Sequence, residues 1–291
     1  MVQATVYGLL QGGLLALIAV GFSLVWGVMN IVNVAHGSFV IMAAYLTWEL
    51  STRVGLDPFL AMLPVAAVMF TFGYLLQRYL INLVVNAPVF ITLLLTFGLQ
   101  LVLTQAMNVI FTANYRSIRT SYASHSFVIG SVYVPVGRLL AFVIGGLVTV
   151  GLAAFVRRTR TGTSIMATGM DRGAARLMGI RAGHVYALTF GISTAIAALA
   201  GAMVGIIGTF NAASAATYTL QAFVITVLGG LGNMFGALAG GLVIGLAEAW
   251  AGQYLSGTWV NAIAFLVLIL VLMVWPQGLI GKAYYSGRVE V

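Results

Sequence analysis

A chain of 291 residues that is 62% hydrophobic and only 6% charged is excluded from the soluble globular class, where about 25% of residues are charged and a domain of this size has too little interior for so much apolar surface. The formal net charge of +8 does not point to nucleic acid, because the basic residues fall in gaps between apolar runs and not across one polar face. With no cysteine in the chain, disulfides, thiolate metal sites and cysteine nucleophiles are also excluded. What remains is an all-α polytopic membrane protein, with the lipid bilayer as its solvent.

The N-terminal run "MVQATVYGLLQGGLLALIAVGF" lacks a basic leader and a small-residue cleavage site, so it reads as a retained first span. A helix that crosses the hydrocarbon core needs about 20 apolar residues. On that template spans are predicted near 6–28, 59–80, 88–110, 138–156, 184–208 and 259–275. Two further regions, 31–50 and 219–250, are apolar but broken. The first opens with "NIVNVAHGS"; the second contains "LGGLGNMFGALAGG", where Gly229, Gly230, Gly232 and Gly236 weaken a continuous helix. The expectation is about eight or nine membrane segments, including broken or re-entrant ones. They form a single membrane domain over 1–291, because no polar interval is long enough for a soluble one.

Residues 157–181 hold six of the thirteen basic residues: Arg157, Arg158, Arg160, Arg172, Arg176 and Arg181. Under the positive-inside rule they place the 157–183 loop in the cytoplasm, with the 111–137 loop and the stretch after 209 outside. The tail with Lys282 and Arg288 then returns to the cytoplasm; the side of the N-terminus stays open, depending on whether 31–50 crosses the membrane.

Within the arginine-rich loop, Asp171 is suited to cap a helix N-terminus and Gly179 to stand in the left-handed position just past a helix end. Between them "RGAARLM" is predicted as a short helix. Arg172 and Arg176 share one face and Ala174 lies a turn from Leu177 and Met178. Such a helix either docks against another protein or lies at the lipid headgroups.

A polar solute crossing the bilayer needs hydrogen-bonding groups on a wet path, which broken helices supply. Asn33, His36 and Gly37 stand at the start of a helix-like segment, with Asn33 placed to cap it. His36 either lines the path or satisfies a buried carbonyl. The glycine run either permits close helix packing or forms a hinge beside the path. Glu49 and Glu248 are the acids nearest membrane depth, where carboxylates are costly and often functional; Glu248 is the stronger candidate to line the route.

The run Ala174-Ala175-Arg176-Leu177-Met178-Gly179 resembles the Glu-Ala-Ala, three residues, Gly loop of ABC importer permeases, with Gly173 where that family has an acidic residue. Together with "VNVAHGSFVIMAAYLTW" and "VITVLGGLGNMFGALAGGLVIGLAE", it is similar to the branched-chain amino acid permease subunits of ABC importers, a group that also carries urea and short amides. The resemblance implies a permease of the bacterial inner membrane. Its 157–183 loop carries a coupling helix, including Asp171, Arg172, Ala174, Ala175, Arg176 and Gly179, that seats in a partner ATPase. It further implies two ATPase subunits that hold ATP and Mg, a second paralogous permease or a homodimer, and a solute-binding protein, with no cofactor in this chain. The chain has no phosphate loop of its own: its single lysine, Lys282, precedes Ala283, and Pro276 stands where the loop's first glycine belongs.

The alternative is a secondary transporter or channel for a small polar solute, independent of any ATPase. That class favours ionisable groups in mid-span or repeated polar rings, and neither stands out. An enzyme is disfavoured because His36, His125 and His184 are scattered.

Overall fold

The computed structural model describes residues 1–120, 125–130, 132–255 and 258–281. In chain order it contains α1 (Val2–Met29), α2 (His36–Arg53), α3 (Pro58–Tyr79), a 3-10 turn (Ile81–Leu83), α4 (Val89–Phe111), β1 (Ser126–Ile129), β2 (Val132–Pro135), α5 (Val136–Arg158), α6 (Arg160–Met170), α7 (Arg172–Leu177), α8 (Ala182–Ile207), α9 (Ser214–Gly229), α10 (Met234–Tyr254) and α11 (Thr258–Val274). Six of the helices are long and apolar enough to cross a membrane, and α2, α9 and α11 are shorter or less apolar companions. The two broken regions read from the sequence correspond to α2 with the irregular stretch before it, and to α9 and α10 with the turn between them.

Local chemistry sets the helix starts. Asp57 accepts a hydrogen bond from the Phe59 amide with Pro58 in the first turn of α3, and Asn233 accepts from Phe235 and Gly236 at the start of α10. Helices α1 and α8 are apolar on all sides and mostly buried, whereas α4 exposes most of its surface, as a lipid-facing helix does. The α1–α10 crossing is close enough that a Cβ on Gly245 would sit 2.5 Å from the Gly12 backbone. Hydroxyls fasten α8 inside the bundle: Ser193 donates to Gly21 O at 2.7 Å, and Thr194 to Met69 O at 2.8 Å.

The contacts define two ends of the bundle. At one, the β1–β2 hairpin pairs Ser126 with Pro135 through Ile129 with Val132. Gln3 there exchanges two hydrogen bonds with Tyr133, and Trp250 Nε1 reaches Thr5. The stretch before the hairpin is held down at Arg116, whose backbone pairs with Phe210 and whose guanidinium lies 4.5 Å from the Trp48 ring centre. At the other end the last turn of α1 meets α6 and the α9–α10 turn. A Cβ on Gly169 would stand 2.9 Å from Gly27 O, and one on Gly232 would stand 2.8 Å from Gly27 Cα. Residues 275–281 fold back onto that end, Leu279 N donating to Leu228 O at 2.8 Å. Lys282 and Arg288 lie outside the described residues.

The structure corrects the sequence reading at two points. The interval 157–183 is not an open loop: α5 runs to Arg158 and an extra amphipathic helix, α6, buries Gly162, Ile165 and Thr168. The glycine and small polar residues of α6 hide its helical periodicity. Asn33 does not cap α2, because the cap position is Ala35 and the helix start carries no side-chain cap.

A Cβ on Gly201 of α8 would fall 2.0 Å from Val40 O of α2. Gly201→Val therefore forces the two backbones apart, and the variant is expected to reach the membrane at no more than about a tenth of the wild-type level, as quantified by immunoblot of membrane fractions; wild-type accumulation would contradict this packing.

Candidate translocation path and coupling helix

Between α1 and α2 the chain leaves helical geometry inside the bundle. Asn30 closes α1 in the left-handed region at φ 53. Backbone groups freed at such depth must find partners, because an unpaired one in a bilayer interior costs several kcal/mol. Two threonines from other helices supply these. Thr96 of α4 donates to Val32 O at 2.9 Å and accepts from Val34 N at 3.2 Å. Thr219 of α9 donates to Val34 O and accepts from Gly37 N, both at 2.9 Å. Gly37 is required there because a Cβ would lie 1.9 Å from Ala215 O.

His36 opens α2 fully buried, its Nε2 donating to Ile18 O at 2.9 Å, near the middle of α1. The N-terminus of α2 thus sits about halfway through the bundle. Phe22 packs edge-on against the imidazole at 5.6 Å. The buried amide of Asn33 has no hydrogen-bond partner at either polar atom among the described residues, and His36 Nδ1 is in the same state. Unsatisfied polar groups this deep in a membrane protein are rare and costly, so this break is polar without being fully self-satisfied.

Gly229, Gly230, Gly232 and Gly236 lie elsewhere, at the end of the bundle where α1 stops. A Cβ on Gly229 would be 2.1 Å from Gly236 O, and one on Gly236 would be 2.2 Å from Gly229 O, so α9 and α10 touch backbone to backbone. Gly230 and Gly232, at φ +104 and +77, make the turn itself. Glu248 occupies a third place. It is 8% exposed and accepts from Gln221 Nε2 at 3.2 Å, beside a cavity of about 100 Å³ between α9, α10 and α11. The three groups of path candidates are therefore not gathered into one site. They are joined through α9, which offers Thr219 to the break and Gln221 to Glu248. Glu49 pairs with Arg53 at 2.6 Å on the far end of α2 and stands apart from all three.

The arginine-rich segment forms a compact unit. Asp171 Oδ1 accepts from the amides of Gly173 at 2.7 Å and Ala174 at 3.0 Å, capping α7. Gly179 is left-handed at φ +81; its N–H goes to Arg176 O and that of Ile180 to Ala175 O, closing the helix in a Schellman arrangement. One face differs from the sequence expectation. Ala175 packs inward. Arg172 does not share a free basic face with Arg176, because it donates to Asn86 in the α3–α4 connection and lies over the Tyr186 ring of α8. Leu177 and Met178 project outward at 90% and 83% exposure.

Sequence reasoning missed Thr96, Thr219, Gln221, Asn86 and Tyr186. Each is a single polar or aromatic residue whose role depends on a helix distant in the chain, and only the unusual polarity of Gln221 within an apolar run gave a local signal.

A family model described as the branched-chain amino acid transport system permease component matches residues 4–272. The high-affinity branched-chain amino acid transport system permease protein BraD of Pseudomonas aeruginosa is 32% identical, covering 96% of this chain and 95% of its own. The corresponding LivH of Escherichia coli is 30% identical over 94% of both. The fructose import permease protein FrcC of Rhizobium meliloti is 25% identical over 84% of this chain and 69% of its own. Taken with the helical architecture, these matches across almost the whole length place the chain in the family of branched-chain amino acid transport system permease components.

Proposed function

We propose that the chain is the membrane-spanning subunit of an ATP-driven importer for leucine, isoleucine, valine or related small polar solutes. The observation that carries the reading is α7: a two-turn helix, capped at both ends and tied to the α3–α4 connection and α8 by Arg172, that holds Leu177 and Met178 out into solvent. Exposed large apolar side chains on a rigid polar-sided helix mark a protein contact, and the family relationship supplies the kind of partner, an ATPase subunit.

In this reading residues 1–291 act as one permease domain of the bacterial inner membrane, with residues 157–183 and the C-terminus cytoplasmic by their positive charge. Two ATPase subunits bind ATP and Mg; this chain holds neither and catalyses no reaction. A second permease, identical or paralogous, completes the channel, and a solute-binding protein delivers its cargo to the hairpin end. ATP binding closes the ATPase pair and shifts the population of the bundle between outward-open and inward-open states. Asp171 and Gly179 fix the ends of the coupling helix, Ala175 seats it, Arg172 anchors it, and Ala174 and Arg176 face the partner with Leu177. Asn33, His36 and Gly37 at the break, the Gly229, Gly230, Gly232 and Gly236 turn, and Glu248 belong to the moving path.

The test is [³H]leucine uptake by proteoliposomes that contain the permease pair, the ATPase subunits and the solute-binding protein. Uptake that requires luminal ATP is the expected result, and ATP-independent uptake by this chain alone would overturn the proposal. At the coupling helix, Leu177→Arg changes a side chain with almost no intramolecular contact. It is expected to leave membrane insertion and melting temperature unchanged while cutting co-purification of the ATPase subunits by at least tenfold. Recovery of the ATPase at wild-type levels would remove α7 as the docking element.

A further inference from the structure

Glu248 poses a problem of charge. It lies within an apolar helix and is nine-tenths buried, a setting in which an ionised carboxylate needs a strong partner. Its hydrogen bond comes from the neutral amide of Gln221, and the ion pair formed among the described residues is instead Arg53–Glu49. A carboxylate has about four lone-pair positions, so one amide donor leaves most of its accepting capacity unused.

The cavity beside it is lined by Thr217, Gln221 and Glu248 on its polar side and by Leu220, Val224, Ala264 and Phe265 on the apolar side. At about 100 Å³ it holds several times what one water molecule needs, enough for a small charged head but not for a large solute. Leu220 and Phe265 are half exposed, so the cavity has an open, apolar rim.

We propose that this cavity seats the ammonium group of the transported solute, with Glu248 as counter-ion. The inference rests on the import reading above, in which the solute is an amino acid with an apolar side chain, and assigns a partner to its ammonium, with the carboxylate on the same carbon left outside the cavity. An ammonium presents three donors and no acceptor. Carboxylate oxygen, the carbonyl of Gln221 and the hydroxyl of Thr217 are the matching acceptors on the polar side, while the aliphatic wall and Phe265 receive the side chain. A carboxylic acid without an amine is repelled by the same charge, and a neutral polyol gains nothing from it. The position also serves transport, because α9 carries both Gln221 and, two residues earlier, Thr219, which holds the broken segment before α2. Filling the cavity therefore loads the helix that ties the break in place.

The experiment uses the complete importer in proteoliposomes, with luminal ATP and [³H]leucine carried by saturating solute-binding protein, comparing wild type with Glu248→Gln and Glu248→Asp. Glu248→Gln is expected to lower the uptake rate at least tenfold while co-purifying with both partner subunits, and Glu248→Asp to keep a larger fraction of uptake. Glu248→Gln uptake within twofold of wild type overturns the ammonium site but leaves the import reading standing. Loss of the second permease from the Glu248→Gln complex also overturns it, since that result assigns the carboxylate to a basic side chain of the neighbouring subunit. A wild-type importer that moves no leucine overturns both. A second measurement is independent of any variant: a hydrophobic carbodiimide is expected to label Glu248 in the wild-type complex at least threefold more slowly when leucine is present, and labelling insensitive to leucine contradicts the site.

Discussion

Two threonine hydroxyls hold a break between helices in the middle of the bundle, and the arrangement of the neighbouring elements follows from that break. A helix that stops inside hydrocarbon leaves N–H and C=O groups whose desolvation costs several kcal/mol each unless they are paired. Thr96 and Thr219 pair those of Val32, Val34 and Gly37 from two different helices. The break is stable only while α4 and α9 stand beside it, so the position of α9 is bound to the state of the break. Helix α9 is short and turns at once into α10 through a backbone-to-backbone glycine contact, which ties the two helices together at that end.

The same geometry gives a mechanical route from the arginine end. Helix α7 is fixed to α8 and the α3–α4 connection by Arg172, and α6 leads from it to Gly27, where Gly169 and Gly232 approach from either side. Three residues beyond Gly27, Asn30 ends α1 and the broken segment begins. A displacement of α6 thus bears on the last turn of α1 and on the α9–α10 turn together, at the two points from which the break is held. The absence of Cβ atoms at these contacts lets the backbones approach directly, with no side chain between them.

Much of this was legible in the sequence. The long spans announced themselves by length and hydropathy, and "NIVNVAHGS" and the glycine run marked both broken regions because polar residues and glycines oppose a continuous helix. Asp171 and Gly179 defined the short helix through the ordinary chemistry of its two ends. What could not be read was anything set by a distant partner. Arg172 looked like one of a pair of exposed cations, yet Asn86 and Tyr186 turn it inward. Asn33 looked like a cap, but the chain turns at Ala35 and leaves its amide unpaired. Helix α6 was hidden because its glycine, threonine and serine content favours turns, and its burial against α1 overrides that preference. The separation of Glu248 from the Asn33 and His36 region also depends on how α9 lies between α2 and α10, which no local pattern encodes.

The claim that the break before α2 belongs to an ATP-controlled path is tested most directly by thiol access. The chain has no native cysteine, so Asn33→Cys reports on one position. In the assembled importer, its reaction rate with a small membrane-impermeant maleimide should change at least tenfold between the nucleotide-free and ATP-bound states. Equal rates in the two states, or a thiol sealed from the reagent in both, would mean that the broken segment is a static packing feature and that solute passes elsewhere.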